Sequence, residues 1–99
     1  IAEASFVGIF PHLMGSPVNT AAQVQLDAAI PNYVLQESNI IKPPLSKIVD
    51  EPLRLKDGYV IVPERPGIGV EINEDALKEF PYEPKEIKGT FRENGSVAY

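Results

Sequence analysis

Two short apolar runs, residues 6–10 and 33–36, flank a segment with the marks of a capped helix, and that order restricts the fold more than anything else in the chain. Phe6, Val7, Gly8, Ile9 and Phe10 follow one another without polar alternation, as in a strand buried on both faces of a parallel sheet. Tyr33, Val34, Leu35 and Gln36 form the second run. Between them, Ser16 can cap the free amides of a first helical turn, and Pro17 suits the first helical position, where no amide hydrogen is needed. Val18, Ala22, Leu26 and Ala29 fall close to helical spacing, with Gln23, Gln25 and Asp27 among the polar positions. A helix over residues 17–29 is predicted, with the first set as its apolar face. Its small alanines would let it lie close against a sheet. Pro31 cannot continue the helix, and the second run follows within the short distance usual for such units.

The polar residues fall just past the strands. His12, the one histidine of the chain, follows the first run, and Glu37 closes the second. Lone histidines and glutamates are more often structural than catalytic. As a pair at equivalent positions on consecutive strand ends, however, they stand on the face where parallel barrels keep their chemistry. They are the candidate catalytic residues.

Charge divides the chain. Residues 1–41 contain no lysine or arginine, and their acids are Glu3, Asp27 and Glu37, which predicts a mostly buried segment. From Lys42 onward charges are dense and prolines recur at 43, 44, 52, 63, 66, 81 and 84, which predicts a wrapped, loop-rich segment. The division expected is therefore 1–45 and 46–99. A formal charge of -5 without a basic face argues against a nucleic-acid partner. The lack of cysteine removes disulfides, thiolate metal sites and cysteine nucleophiles, and is compatible with a reducing cytosol. No apolar stretch approaches the roughly 20 residues of a membrane helix, and no signal-peptide pattern is present. The expectation is a soluble, cytoplasmic protein with no membrane partner. Hydrophobic residues make up 43% of the 99, enough for a modest core.

The ends read more coarsely. Residues 1–5 look like the last turn of a helix. Residues 53–56 and 59–62 flank Asp57 and Gly58, the dipeptide of a two-residue hairpin turn whose central residues both need positive φ. Residues 66–72 form an extended, glycine-punctuated passage, and Asn73 can cap a short helix from Glu74 to about Phe80, with acids in its first turn opposing the dipole. Residues 38–44 form a linker. The tail from 81 to 99 receives no regular structure beyond a turn at Asn94 and Gly95. Gly67 and Gly69 lack the strand, third glycine and acidic partner of a dinucleotide site, so they read as a backbone bend. Tyr33, Phe80, Tyr82, Phe91 and Tyr99 lack interleaved basic residues; anchoring the wrapped segment is the better reading than base stacking.

Several stretches carry a family likeness. Phe10, Pro11, His12; Gly15, Ser16, Pro17, Val18; Thr20, Ala21, Ala22; residues 26–32 from Leu26 to Asn32; and Gln36, Glu37 resemble the end of the barrel in the enolase superfamily. The nearest likeness is to mandelate racemase/muconate lactonizing enzyme-like acid-sugar dehydratases of the galactonate and gluconate dehydratase type. Residues 57–60, 62–63, 66–72 and 95–98 are similar to the tail of the same enzymes.

The resemblance implies an α/β fold: the last two strands and intervening helix of a (β/α)7β barrel, then a loop-rich tail whose hairpin packs on the capping domain. It implies a magnesium-dependent lyase that abstracts the proton alpha to a carboxylate and eliminates water to give a 2-keto-3-deoxy acid. His12 matches the histidine ending the seventh strand and would be a general base or acid at the carbon next to the carboxylate. Glu37 matches the glutamate ending the eighth and would hydrogen-bond the substrate carboxylate as it becomes an enediolate. The Mg2+ ligands belong to the third, fourth and fifth strands and the histidine's acidic partner to the sixth, none of which lies in this chain. The expected partners are therefore a small-molecule sugar acid, the rest of the barrel and the capping domain, in a homo-oligomer when full length. The chain is expected to be inactive alone. The alternatives are a non-catalytic truncated fragment or assembly module, and a racemase or epimerase of the same superfamily, because the same proton is abstracted first in either reaction.

Overall fold

The computed structural model describes residues 1–37, 43–84 and 91–96. Helix α1 runs Pro17–Ala29, with the Ser16 hydroxyl oxygen accepting from the Asn19 amide at 3.3 Å, as the cap and proline predict. Before it, residues 1–5 form one 3-10 turn, Glu3–Ser5, ended by Phe6 at φ 55.

The two apolar runs pair in parallel, as the strand–helix–strand order predicts, but over one bridge, Ile9 to Tyr33. The Ile9 amide donates to the Asn32 carbonyl at 2.8 Å and the Val34 amide to the Ile9 carbonyl at 3.0 Å. Asn32 extends the pairing with its side chain, Nδ2 donating to the Val7 carbonyl at 2.8 Å. Gly8 lets the segments approach: a Cβ there would lie 2.5 Å from Val34 Cγ2.

The expectation that this part is mostly buried does not hold for these runs. Phe6 is 99% exposed, and Val7, Phe10, Val34 and Leu35 are all exposed. A strand is buried on both faces when other strands flank it and helices cover it. Among the described residues these runs have one another and little else.

The tail follows its local signals. β1 (Leu55–Lys56) and β2 (Tyr59–Val60) pair antiparallel around Asp57 and Gly58, whose φ angles of 51 and 83 are those of the predicted turn. The strands are shorter than read, although the Ile61 amide also donates to the Arg54 carbonyl at 2.9 Å. α2 runs Glu74–Glu79 from Asn73, whose side chain accepts from the Ala76 amide at 3.1 Å. Residues 66–69 turn rather than extend, with Gly67 and Gly69 both at positive φ. The turn at Asn94 and Gly95 forms, the Gly95 amide donating to the Arg92 carbonyl at 2.8 Å. Residues 38–42 of the expected linker, residues 85–90 and residues 97–99 of the tail lie outside the described residues.

A small core of Leu13, Ala21, Val24, Val49 and Ala76 joins the two parts. The 3-10 turn Leu45–Ile48 packs on both helices. Residues 48–50 pair with 71–73, with an antiparallel bridge from Val49 to Ile72. Gln25 donates from Nε2 to the Pro63 carbonyl at 3.1 Å, tying α1 to the loop after the hairpin.

The covered face of α1 differs from the predicted one. Pro17, Thr20, Ala21, Val24 and Asp27 are buried, while Ala22, Leu26 and Ala29 are exposed. The helix carries small or apolar residues on two sides, and the tail covers the side bearing Thr20 and Asp27. Gln23 Nε2 donates to Asp27 Oδ1 at 2.9 Å. Tyr82 and Phe91, read as anchors of the wrapped segment, are 89% and 69% exposed and anchor nothing among the described residues.

Candidate active site

His12 and Glu37 both stand just beyond the carboxy-terminal side of the parallel bridge, and the structure brings them into contact. His12 Nδ1 lies 2.6 Å from Glu37 Oε2. The same oxygen accepts the Leu13 backbone amide at 2.7 Å. The pairing of Ile9 with Tyr33 sets this meeting: three residues past Ile9 and four past Tyr33 bring both side chains to the same end of the bridge.

The Leu13 N–H, aided by His12, holds the Glu37 carboxyl below its ordinary value of 4.5, against a smaller opposing effect of desolvation. Glu37 is therefore ionised at neutral pH and can only accept hydrogen bonds. The shared hydrogen must come from His12, which assigns the Nδ1–H tautomer to the neutral ring and leaves the lone pair on Nε2. The pair is open, with the His12 side chain 75% and the Glu37 side chain 43% exposed. Two grooves lie away from the pair. One of about 320 Å3 runs between α1, residues 33–36 and the hairpin, and one of about 720 Å3 is lined by Asp50, Arg54 and Arg65 among others. Neither includes His12 or Glu37.

Sequence reasoning placed both residues at strand ends but missed Leu13, whose contribution is a backbone amide, and Asn32, which aligns the strands. The proline before Asn32 marked a turn; nothing marked its side-chain reach to Val7.

The residues present do not fit a magnesium site. No group of three or more histidine, cysteine, aspartate or glutamate residues able to hold a metal ion occurs among the described residues. One imidazole bonded to one carboxylate cannot supply an octahedral shell of oxygens.

Residues 1–76 match the enolase C-terminal domain-like family. The chain belongs to this family. A D-galactonate dehydratase family member from Streptomyces bingchenggensis is 32% identical over 99 residues, covering 98% of this chain and 24% of that protein. The D-gluconate dehydratase of Thermoproteus tenax is 39% identical over 89 residues, covering 88% of this chain and 18% of its own length. Among solved structures, an enolase from Pantoea ananatis with bound D-gluconate and Mg superposes with a TM-score of 0.77 at 30% identity, over 85% of this chain and 21% of that one. This enolase-family chain thus spans between 17% and 24% of the length of the first curated relatives it matches. The two bridged runs and the helix between them lie within the residues that match this domain family. No helix among its described residues is long and apolar enough to cross a membrane.

Proposed function

We propose that this chain is the carboxy-terminal segment of a magnesium-dependent acid-sugar dehydratase. Residues 1–45 would complete the catalytic face of the barrel, and residues 46–99 would return toward the capping domain. The observation that carries this reading is the convergence of His12 and Glu37, 25 residues apart in sequence, on one hydrogen bond of 2.6 Å beyond two parallel-paired segments. Support for the substrate class comes from the relatives named for galactonate and gluconate dehydration and from the similar enolase that holds D-gluconate. The magnesium ligands would come from outside these residues, and the ion would supply charge stabilisation there.

In this reading His12 Nε2 takes the proton from the carbon next to the substrate carboxylate. The C–H electron pair moves toward the carboxylate as an enediolate, and loss of the β-hydroxyl with one proton releases water. The enol then tautomerises to a 2-keto-3-deoxy acid. Imidazole, with a reference pKa of about 6.5, is far too weak for this carbon acid without stabilisation of the developing charge; its placement adds a factor of about 10²–10⁴. Glu37, ionised in the free site, orients the imidazole. To donate a hydrogen bond to the enediolate it must first take up a proton, which the approaching negative substrate carboxylate favours.

The test is His12→Asn in the complete enzyme, followed by turnover of aldonic acids and by exchange of the α-proton with deuterated solvent. Turnover should fall by about two to four decades, with exchange lost in parallel. Exchange at the wild-type rate would remove His12 as the base. An epimerised substrate without a keto acid product would overturn the dehydratase reading in favour of a racemase or epimerase.

A further inference from the structure

The loop from His12 to Ser16 has no regular secondary structure, yet one residue in it is pinned. Leu13 is 2% exposed, while its neighbours His12 and Met14 are exposed. Its side chain is one of the few buried apolar groups, as those of Ala21 and Val24 are, and its amide donates to Glu37 Oε2 at 2.7 Å. We propose that Leu13 is a positioning residue of the site, its side chain fixing the loop in the core while its amide clamps the Glu37 carboxylate against His12. This rests on the reading of His12 and Glu37 as the catalytic pair.

The clamp has a physical logic that neither side chain supplies alone. A glutamate has three side-chain torsions and samples many positions when exposed. A backbone N–H held by a buried side chain has one direction. Two donors converge on Oε2 and leave Oε1 without a partner among the described residues. The arrangement also sets the His12 tautomer, because the carboxylate so held accepts the Nδ1 hydrogen and presents Nε2 outward. His12 is the one titratable group among the described residues that acts on Glu37, and the Leu13 amide is the largest influence on its charge, ahead of desolvation and of His12.

The experiment replaces the Leu13 amide by an ester in the complete enzyme, through incorporation of the α-hydroxy analogue of leucine, which deletes the N–H and keeps the side chain. Leu13→Ala, which keeps the N–H and removes most of the side chain, serves as the second variant. The readouts are the carbon-13 titration of the labelled Glu37 carboxyl and the acid limb of the pH profile of kcat/KM. The ester should raise the Glu37 midpoint toward 4.5, move the acid limb the same way, and lower kcat about ten- to hundredfold. Leu13→Ala should displace the midpoint the same way but less far, because the N–H remains and only its anchor is lost. A Glu37 midpoint unchanged by the ester would overturn the proposal, as would one unchanged by Leu13→Ala. If the wild-type enzyme had no dehydratase activity, the titration would still decide the clamp, and only the catalytic reading would fall.

Discussion

Gly8→Ala, made in the complete protein with and without Val34→Ala, tests whether the close approach of the two strand segments governs both stability and the site. The backbone at Gly8 does not require glycine, so the cost of a side chain there is steric. An added Cβ would meet Val34 Cγ2 at 2.5 Å, well inside contact distance, while the Asn32 carbonyl at 3.8 Å and Val34 Cβ at 3.9 Å would be ordinary neighbours. Overpacking of this kind costs about 1–3 kcal/mol. Valine is stiff at χ1, but Val34 is 56% exposed and has room to yield, so about 1–2 kcal/mol is expected. Truncating Val34 to alanine removes the clashing methyl and leaves the two Cβ atoms 3.9 Å apart. In that background the substitution retains only its effect on the unfolded chain, a stabilisation of about 0.4–1 kcal/mol. Gly8→Ala should therefore change sign between backgrounds, with a coupling of about 1.5–3 kcal/mol in a double-mutant cycle from urea unfolding. Turnover should fall in the single variant and recover in the double, because the bridge at Ile9 sets where His12 meets Glu37. Additivity within about 0.5 kcal/mol would refute the reasoning, since independent sites behave that way.

Asn32→Ala removes the side-chain bond to the Val7 carbonyl and should destabilise the protein by about 1 kcal/mol in urea unfolding; an unchanged midpoint would deny Asn32 its part in aligning the strands. Glu37 has a lowered native pKa, so its contribution to stability is fully present above the ordinary value of 4.5 and is lost as pH falls through the lowered native value. Melting temperature followed from neutral pH into that acid range should therefore show a component that Glu37→Gln abolishes, and identical acid profiles would contradict the assignment. The 99-residue chain by itself should show no stoichiometric magnesium site in calorimetric titration, and a micromolar site would contradict the coordination argument. Because Phe6, Phe10 and Leu35 are exposed beside open strand edges, the same chain should self-associate in sedimentation; a monodisperse monomer that melts cooperatively would count against this.

The legible parts of this protein are those whose hydrogen bonds close within a few residues. Ser16 and Pro17 start α1 and Asn73 starts α2 because a cap needs only its own first turn. Asp57 and Gly58 turn the hairpin because positive φ is a property of those two residues. The apolar runs disclosed a parallel pair because a helix of this length between them leaves room for a crossover. His12 and Glu37 were legible as candidates by their place after those runs, and the family likeness gave them roles.

What the tertiary structure alone decided depends on which distant surface arrives. The face of α1 that is covered follows from where the turn at 45–48 and the loop at 63 pack, and a helix with small or apolar residues on two sides does not encode that choice in its own periodicity. The exposure of Phe6 and Leu35 follows from which strands stand beside them, which no local pattern contains. The meeting of His12 Nδ1, the Leu13 amide and one Glu37 oxygen needs the register of Ile9 against Tyr33 to within a residue. A slip of one position would turn those side chains to the opposite face, so chemistry that the sequence placed at two strand ends becomes a site only through their pairing.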